Sequence, residues 1–292
     1  MFTLTTDTSC DVMRNELDER GIPWVPLIYI MDGEQHYDEF TTDEQYKEFF
    51  AKVRAGSMPT TSQISQVEHE EFFEKVIAGG ATDIVHLTLS GGLSATYNMA
   101  CKAAEEVMKR HEGVKINVVD SRAATQVHNY VLDKADELRK QGLSGEEAKK
   151  ILDNFTNRVH VVIIVDDLNH LKRGGRVSGV AAAFGTLLKI KPILFFDKAG
   201  KLRVVHKAKG TRKAIEYAID FIKEYNPEVK KVYIVQGDAM DSANAATEEL
   251  KAAFGCEVKV GWCGPVIGAH TGAGLLGIIF ESEKERPLDP EK

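Results

Sequence analysis

The sequence contains few cysteines, and none of them is paired at a metal-binding spacing. The four thiols are Cys10, Cys101, Cys256 and Cys263, and no Cys-x-x-Cys motif is present. Four cysteines among 292 residues are too few for a disulfide-stabilised scaffold, and their spacing does not form a zinc-finger motif. We therefore expect reduced cysteines, no metal site and no cofactor.

The sequence also lacks long apolar runs, a leader segment and an excess of positive charge. Its longest apolar stretches, residues 159–165 and 274–280, are shorter than the about 20 residues that a membrane-spanning helix needs. The first residues show no basic region followed by an apolar run, so no secretory signal is predicted. A net charge of −7 disfavours binding to nucleic acid or anionic lipid. We expect a cytoplasmic protein with no nucleic-acid partner and no stable membrane anchor.

Short β-branched runs alternate with helical patterns along most of the chain. The predicted strands cover residues 2–6, 25–30, 83–88, 116–119, 160–165, 192–196, 202–206, 231–236, 257–262 and 275–280. The predicted helices cover residues 42–54, 66–78, 95–111, 124–141, 145–157, 178–187, 211–225 and 241–254. This alternation is typical of parallel sheets that are covered by helices.

The length of the chain predicts two domains, because 292 residues exceed what a single core usually holds. One series of strands and helices closes near residue 157, and a new buried strand opens at His160. We therefore predict an α/β fold with two domains, residues 1–157 and 158–292, each a mostly parallel sheet flanked by helices. No linker rich in proline or serine separates the halves, so we expect them to pack closely.

Ser94 lies in a segment, residues 90–96 (SGGLSAT), between a predicted strand and helix 95–111. Ligands of α/β proteins bind where strands end and helices begin. As the predicted N-cap, Ser94 would satisfy one backbone N–H, and the remaining N–H groups and the helix dipole favour an anion. A serine that only caps its helix explains these residues equally well.

Two further segments are rich in hydroxyl groups. Residues 7–9 (DTS) follow the first predicted strand, and residues 59–63 (PTTSQ) form a predicted loop. Taken alone, Thr60, Thr61 and Ser62 are interpreted as ordinary loop residues.

A basic turn and a lone histidine complete the candidate residues. Residues 171–177 (LKRGGRV) precede predicted helix 178–187, and their arginines, Arg173 and Arg176, suit an anion or the acidic surface of a partner. An exposed turn in solvent explains them equally well. His270 lies in a glycine-rich segment interpreted as a loop, and a lone histidine is more often structural than functional.

Gly92 to Thr96 also resembles the nucleophile elbow G-x-S-x-G, which makes a serine acyl hydrolase the alternative function. Ser94 would be the nucleophile and His270 the base. The acid would be Asp166, Asp167 or Asp238. Against this alternative, Thr96 occupies a position that needs a small residue, and no sequence feature pairs an acid with His270.

Residues 272–277 match G-x-G-x-x-G without the context of a dinucleotide site. That motif follows a strand and begins a helix, whereas here the chain continues into predicted strand 275–280. The sequence also contains no P-loop, no H-E-x-x-H motif and no EF-hand loop. It therefore gives no support to a nucleotide or metal role.

Seven segments resemble, in the same order, the motifs of one protein family. They are residues 5–11 (TTDTSCD), 59–63 (PTTSQ), 90–97 (SGGLSATY), 119–121 (VDS), 171–177 (LKRGGRV), 189–194 (KIKPIL) and 268–274 (GAHTGAG). By these motifs the chain resembles the DegV family, fatty-acid-binding proteins that serve as FakB subunits of bacterial fatty acid kinase. The resemblance spans nearly the whole chain, and P-T-T-S-Q followed by K-R-G-G-R is its most specific part.

The resemblance implies a ligand, a partner and a role for each candidate residue. A long-chain fatty acid would lie in a tunnel between the two domains, with its carboxylate at Thr61 and Ser94 and with Ser62 nearby. His270 would lie near the head group, and Arg173 or Arg176 near the head group or the partner surface. The partner would be a separate ATP-dependent kinase subunit that converts the bound carboxylate to an acyl phosphate. The chain itself would then not be an enzyme.

Several positions depart from the family pattern. Cys10 replaces a small or hydroxyl residue, Ala95 a common glycine and Ala273 a common proline, and residues 126–128 (QVH) replace a glycine-bearing run. These changes would affect the shape of the tunnel and leave Thr61 and Ser94 in place. A regulatory lipid-binding module that acts without a kinase is a further alternative.

Overall fold

The computed structural model describes residues 1–166, 168–177 and 190–287. Its strands are β1 Thr3–Asp7, β2 Trp24–Val25, β3 Ile28–Met31, β4 Glu34–Tyr37, β5 Thr60–Ser62, β6 Asp83–Thr88, β7 Lys115–Asp120, β8 Val159–Ile164, β9 Ile190–Phe196, β10 Leu202–Lys209, β11 Lys231–Gly237, β12 Glu257–Trp262 and β13 Leu275–Glu281. Its helices are α1 Arg14–Glu19, α2 Asp43–Arg54, α3 Gln66–Ala78, α4 Thr96–Arg110, α5 Thr125–Lys140, α6 Gly145–Phe155, α7 Asn169–Arg173, α8 Gly210–Tyr225, α9 Met240–Phe254 and α10 Pro265–Thr271. The predicted helix 178–187 and the candidate acid Asp167 lie outside the described residues.

The first sheet has the predicted parallel architecture. Its four strands lie in the order β2-β1-β6-β7, and every neighbouring pair is parallel. Helices α3 and α6 begin at capping boxes in which Ser65 and Ser144 accept hydrogen bonds from the backbone of Glu68 and Glu147. The α/β fold class is thus confirmed for this half of the chain.

The second sheet corrects the prediction of mostly parallel strands. Its order is β10-β9-β8-β13-β11-β12, and only the pair β11 and β12 is parallel. A turn at residues 197–201 joins β9 and β10 as a hairpin, and β13 enters antiparallel between β8 and β11. Buried strands have the same apolar composition in either direction, so the sequence pattern did not reveal these pairings.

A small third sheet was not predicted. It pairs β4 and β5 with the two sides of β3. The predicted strand 25–30 divides into β2 and β3 around Pro26, which lacks the N–H that a continuous ladder requires. Residues 60–62, predicted as a loop, form β5, which is short and polar and therefore has no apolar strand pattern.

The two halves pack closely, as predicted. One hydrophobic core contains side chains from both halves, among them Leu87 of β6 and Val161 of β8. The chain passes between the halves where α6 ends at Phe155 and β8 begins at Val159. The boundary near residue 157 stays a prediction. Over the described residues, none of the helices has the length and apolar character to cross a membrane.

The polar segment after Glu281 includes a buried anchor. Arg286 is 2% exposed. Its guanidinium donates hydrogen bonds to the carbonyl of Val159 at 2.8 Å and to that of Arg122 at 2.6 Å. The end of the described chain is therefore attached to both halves.

Candidate ligand-binding site

A cavity of about 290 Å³ lies between the two halves. The first half contributes apolar side chains that include Leu27, Leu89 and Leu93. The apolar side chains from the second half are Leu171, Leu202, Val266 and Ile267. Polar groups line the same cavity, namely Thr61, Ser62, Gln63, Ser94, Arg176, His270 and Thr271. Five of the six residues predicted for the site thus surround one cavity, whereas the residues that form its apolar walls were not named from the sequence.

Thr61 and His270 are in direct contact. The Thr61 hydroxyl lies 2.8 Å from Nε2 of His270. Thr61 is held by the pairing of β5 with β3, where it lies opposite Tyr29. His270 lies in helix α10, whereas the sequence predicted a loop at this position. Gly264 precedes this helix and Pro265 occupies its first position, a helix-start signal that the sequence offered.

His270 is neutral at physiological pH. Burial, reinforced by the nearby charges of Arg176 and Arg173, lowers the pKa of its imidazole to about 4. The ring also packs closely on Gly174, where a Cβ would meet the Nδ1 atom of the imidazole. A neutral imidazole has one donor and one acceptor nitrogen, so it can orient the Thr61 hydroxyl without adding a charge.

Ser94 is not the N-cap of its helix, contrary to the prediction. The N-cap of α4 is Ala95, which makes no side-chain capping bond. Ser94 Oγ instead accepts a hydrogen bond from the backbone N–H of Thr96 at 3.2 Å and lies 2.9 Å from the Thr96 hydroxyl. The first helical turn therefore begins one residue later, and Ser94 still satisfies one of its N–H groups while it lines the cavity.

Arg176 and Arg173 occupy different places. Arg176 lines the cavity and donates from Nε to the carbonyl of Leu93 at 3.2 Å. Arg173 is exposed and is not among the cavity-lining residues. Its guanidinium donates to the carbonyls of Pro59 and Ala269, each at 3.3 Å. Arg176 therefore supplies the positive charge at the cavity wall, and Arg173 lies outside it.

The described part of the chain forms no catalytic triad for the serine hydrolase alternative. Among the described residues, the partner of His270 is Thr61, and no carboxylate accepts a hydrogen bond from its ring. Asp166 pairs with Lys191 at 2.6 Å, and Asp238 pairs with Arg54. A nucleophilic serine needs a base that a third group orients, and the described residues provide no such group.

A buried polar cluster supports the cavity wall and was not predicted as part of the site. Asp7 accepts hydrogen bonds from the backbone N–H of Leu89 at 2.6 Å and from the hydroxyl of Ser9 at 2.6 Å. Ser9 also contacts Nδ1 of His128 at 3.0 Å. Burial raises the pKa of Asp7 to about 6 and lowers that of His128 to about 3. Residues 7–9 thus hold the segment that carries Leu89.

The loop that carries Ser94 is held by the hairpin turn of the other half. The Ser90 hydroxyl donates to the carbonyl of Gly200 at 2.9 Å. Gly92 packs directly on the backbone of Ala199 and Gly200, and a Cβ at Gly92 would lie 2.8 Å from the carbonyl carbon of Gly200. Gly92 is therefore needed for a close approach of two backbones.

We predict that Gly92→Ala displaces the Ser94 loop, because backbone atoms cannot yield as a flexible side chain can. The expected cost is about 2 kcal/mol of unfolding free energy, measured by urea denaturation. Gly91→Ala is the matched control, since its Cβ would meet side-chain atoms of Asp120 and Tyr97 at 3.1 Å. Equal effects of the two substitutions would contradict the close backbone approach.

The family model described as "Uncharacterised protein, DegV family" matches residues 1–283. The chain belongs to the DegV family. A DegV domain-containing protein of Clostridium perfringens is 32% identical over 289 residues, which cover 98% of this chain and 99% of the relative.

Solved structures of DegV proteins share the fold. A DegV family protein from Thermus thermophilus, whose structure is described as showing fatty acid binding, is 30% identical with a TM-score of 0.85, and 96% of this chain and 99% of that chain are covered. The Streptococcus pneumoniae fatty acid kinase (Fak) B3 protein, loaded with linoleic acid, is 21% identical with a TM-score of 0.83, and the coverage is 97% and 100%. At that identity the second likeness concerns the fold alone. The two-domain DegV fold of this chain is thus confirmed.

Proposed function

We propose that this protein binds a long-chain fatty acid in the cavity between its halves and is not itself a catalyst. The supporting observation is the cavity itself, whose walls are leucine, valine and isoleucine side chains and whose polar residues include Thr61, Ser94 and His270. The Thermus thermophilus relative, described as binding fatty acid, supports the same ligand class.

The apolar walls would supply most of the affinity. Burial of a methylene group contributes about 0.8 kcal/mol, so roughly 14 of them contribute on the order of 11 kcal/mol before the costs of binding are subtracted. A hydrogen bond to a charged group such as a carboxylate contributes roughly 1.5–3 kcal/mol. The acyl chain therefore determines how tightly the ligand binds, and the polar residues determine which end lies where.

The carboxylate would lie beside Thr61 and Ser94. When Nε2 of His270 carries its proton, it donates to the Thr61 oxygen at 2.8 Å and leaves the Thr61 hydroxyl free to donate to the ligand. Arg176, on the same cavity wall, offers a charge-assisted hydrogen bond. A buried carboxylate needs such partners, because without them its desolvation is too costly.

The proposed partner is a separate ATP-dependent kinase subunit in the cytoplasm, which would phosphorylate the presented carboxylate. The FakB-type motifs around residues 59–63 and 171–177 support this role. The exposed Lys172 and Arg173 form a positively charged surface for such a partner. A pull-down from the source cytoplasm is expected to recover the kinase, and failure to recover it would favour a regulatory lipid-binding module.

Native mass spectrometry of the purified protein tests the ligand directly. We expect an added mass of acyl-chain size that organic extraction removes and that added long-chain fatty acid restores. A protein that carries no such mass and takes up no fatty acid after extraction would refute the proposal.

A further inference from the structure

A second cavity, of about 230 Å³, lies between the halves at a different place. Among the residues that the structure describes, it shares no lining residue with the first cavity. The first half contributes Asp11, Tyr46 and Asn129, and the second half contributes Gln236 and Trp262. Gln236 and Trp262 are register partners at the carboxyl ends of the parallel strands β11 and β12. Carboxyl ends of parallel strands are the usual ligand-binding edge of an α/β sheet.

Four residues that line this cavity carry buried polar atoms without a hydrogen-bond partner among the described protein atoms. They are both carboxylate oxygens of Asp11, the Tyr46 hydroxyl, Oδ1 of Asn129 and Nε2 of Gln236. Each of these four residues is at most 3% exposed. A buried polar atom without a partner costs about 1–3 kcal/mol, so these atoms need hydrogen-bond partners that the described protein atoms do not supply.

The orientation of the amide side chains is fixed by their other hydrogen bonds. Gln126 Nε2 donates to the carbonyl of Asp11 at 2.9 Å, so its Oε1 accepts from Nδ2 of Asn129 at 2.9 Å. Oδ1 of Asn129 is then left as an acceptor. Gln236 Oε1 accepts from the N–H of Ala239 at 2.9 Å, which leaves Nε2 as a donor. A complementary ligand therefore has both a donor group and an acceptor group.

The charges around the second cavity favour a cation. Its lining includes the acids Asp11, Glu16 and Asp43 and one base, Lys259, which lies 3.8 Å from Glu16. Burial and then the charge of Asp38 raise the pKa of Asp11 well above its usual value, although the nearby backbone N–H of Gly264 and the charge of Arg14 oppose the rise. A bound cation would compensate the Asp11 carboxylate and favour its ionised form.

We propose that the second cavity binds a small organic ammonium compound that also carries a hydrogen-bond acceptor. Its ammonium group contacts Asp11 and Oδ1 of Asn129, and its acceptor receives a hydrogen bond from Nε2 of Gln236. The stacked rings of Tyr46 and Trp262, 5.4 Å apart, supply an apolar wall for the carbon skeleton. The described residues contain no cluster of three metal-ligating side chains, which favours an organic cation over a metal ion.

Isothermal titration calorimetry with ethanolamine tests this site on the unmodified protein. Ethanolamine carries an ammonium group and a hydroxyl, and ethylene glycol is its uncharged control at the same ionic strength. We expect saturable binding of ethanolamine and none of ethylene glycol. No saturable binding of ethanolamine would mean that only water occupies the cavity, and equal binding of the two compounds would mean that the ammonium charge is not recognised. Either result would overturn the proposal.

Tryptophan fluorescence locates the binding. The chain has two tryptophans, so Trp24→Phe leaves Trp262, which lines the second cavity, as the only reporter. Ethanolamine is expected to change its emission with the same dissociation constant as in calorimetry. An unchanged emission would place the ligand elsewhere. Ser94→Ala, which alters only the first cavity, is expected to leave ethanolamine binding unchanged, so this test is independent of fatty acid binding.

Two substitutions test whether the charges at the second cavity determine ethanolamine binding. Asp11→Asn keeps the shape and suits the left-handed backbone of Asp11 at φ 52°, and it is expected to weaken ethanolamine binding roughly tenfold or more. Lys259→Met, at a side chain 41% exposed, removes a competing cation and is expected to tighten binding by about twofold at low salt. Unchanged binding in Asp11→Asn, or weaker binding in Lys259→Met, contradicts the assignment.

Discussion

Replacing both head-group hydroxyls, by Thr61→Val together with Ser94→Ala, is expected to reduce acyl phosphate formation far more than fatty acid binding. The loss of two hydrogen bonds to a carboxylate, roughly 1.5 kcal/mol each, weakens binding by about 150-fold, and the apolar walls retain the rest of the affinity. Phosphoryl transfer requires the carboxylate in one orientation, and loss of that orientation is expected to cost roughly a further hundredfold. Both quantities are measured with the cognate kinase subunit, as the dissociation constant and the single-turnover rate.

Thr60→Val is the matched control for this experiment. Thr60 neighbours Thr61 on β5, is exposed and does not line the cavity. Its substitution is expected to leave both binding and phosphorylation unchanged. If the double variant loses binding and phosphorylation by the same factor, the hydroxyls do not orient the ligand, and this part of the proposed function is wrong.

His160 is expected to make the stability of the protein depend on pH. Burial lowers the pKa of its imidazole to about 4, and the carbonyl of Lys284, 2.8 Å from Nε2, only partly opposes this effect. In the unfolded chain His160 binds a proton near pH 6.5, whereas in the folded protein it stays neutral until the pH falls to about 4. The contribution of neutral His160 to stability is therefore fully present above pH 6.5 and is lost as the pH falls towards 4. At pH 5 this one residue is expected to cost about 2 kcal/mol.

His160→Phe isolates this contribution. A phenylalanine keeps the ring that stacks on Phe280, with 5.4 Å between the ring centres, and removes the titrating group. Between pH 7 and pH 5 the unmodified protein is expected to lose about 2 kcal/mol more unfolding free energy than the variant, measured by urea denaturation. Comparison of the two proteins cancels the opposing effect of buried acids such as Asp7 and Asp11. Parallel pH profiles would contradict the buried neutral state of His160.

The sequence predicted the residues of the site better than their local structure. Thr61, Ser94, Arg176 and His270 come from four separate segments, and the motif resemblance named them before the fold placed them around one cavity. Their roles in binding remain predictions. Ser94 was wrongly predicted to be the N-cap, because the sequence does not reveal that Ala95 already has helical backbone angles and takes that place.

The strand directions and the second cavity were beyond sequence reasoning for a different reason. An apolar run shows that a strand is buried, but it shows neither which strand lies beside it nor the direction of the pairing. The antiparallel position of β13 between β8 and β11 was therefore not predicted. Asp11 and Gln236 are 225 positions apart in the sequence, and only the packing of the halves brings them to one cavity. No local pattern marks such a pair.

The two bonds of Arg173 have a mechanical consequence. Its exposed guanidinium holds the carbonyl of Pro59, next to the strand that carries Thr61, and the carbonyl of Ala269, next to His270. An acidic group on a docking protein that drew this cation outward would release both segments at once. The contacts of Thr61 and His270 with the carboxylate of the ligand would then weaken. Under the proposed function, recognition of the partner at the surface and release of the fatty acid would be connected through this one side chain.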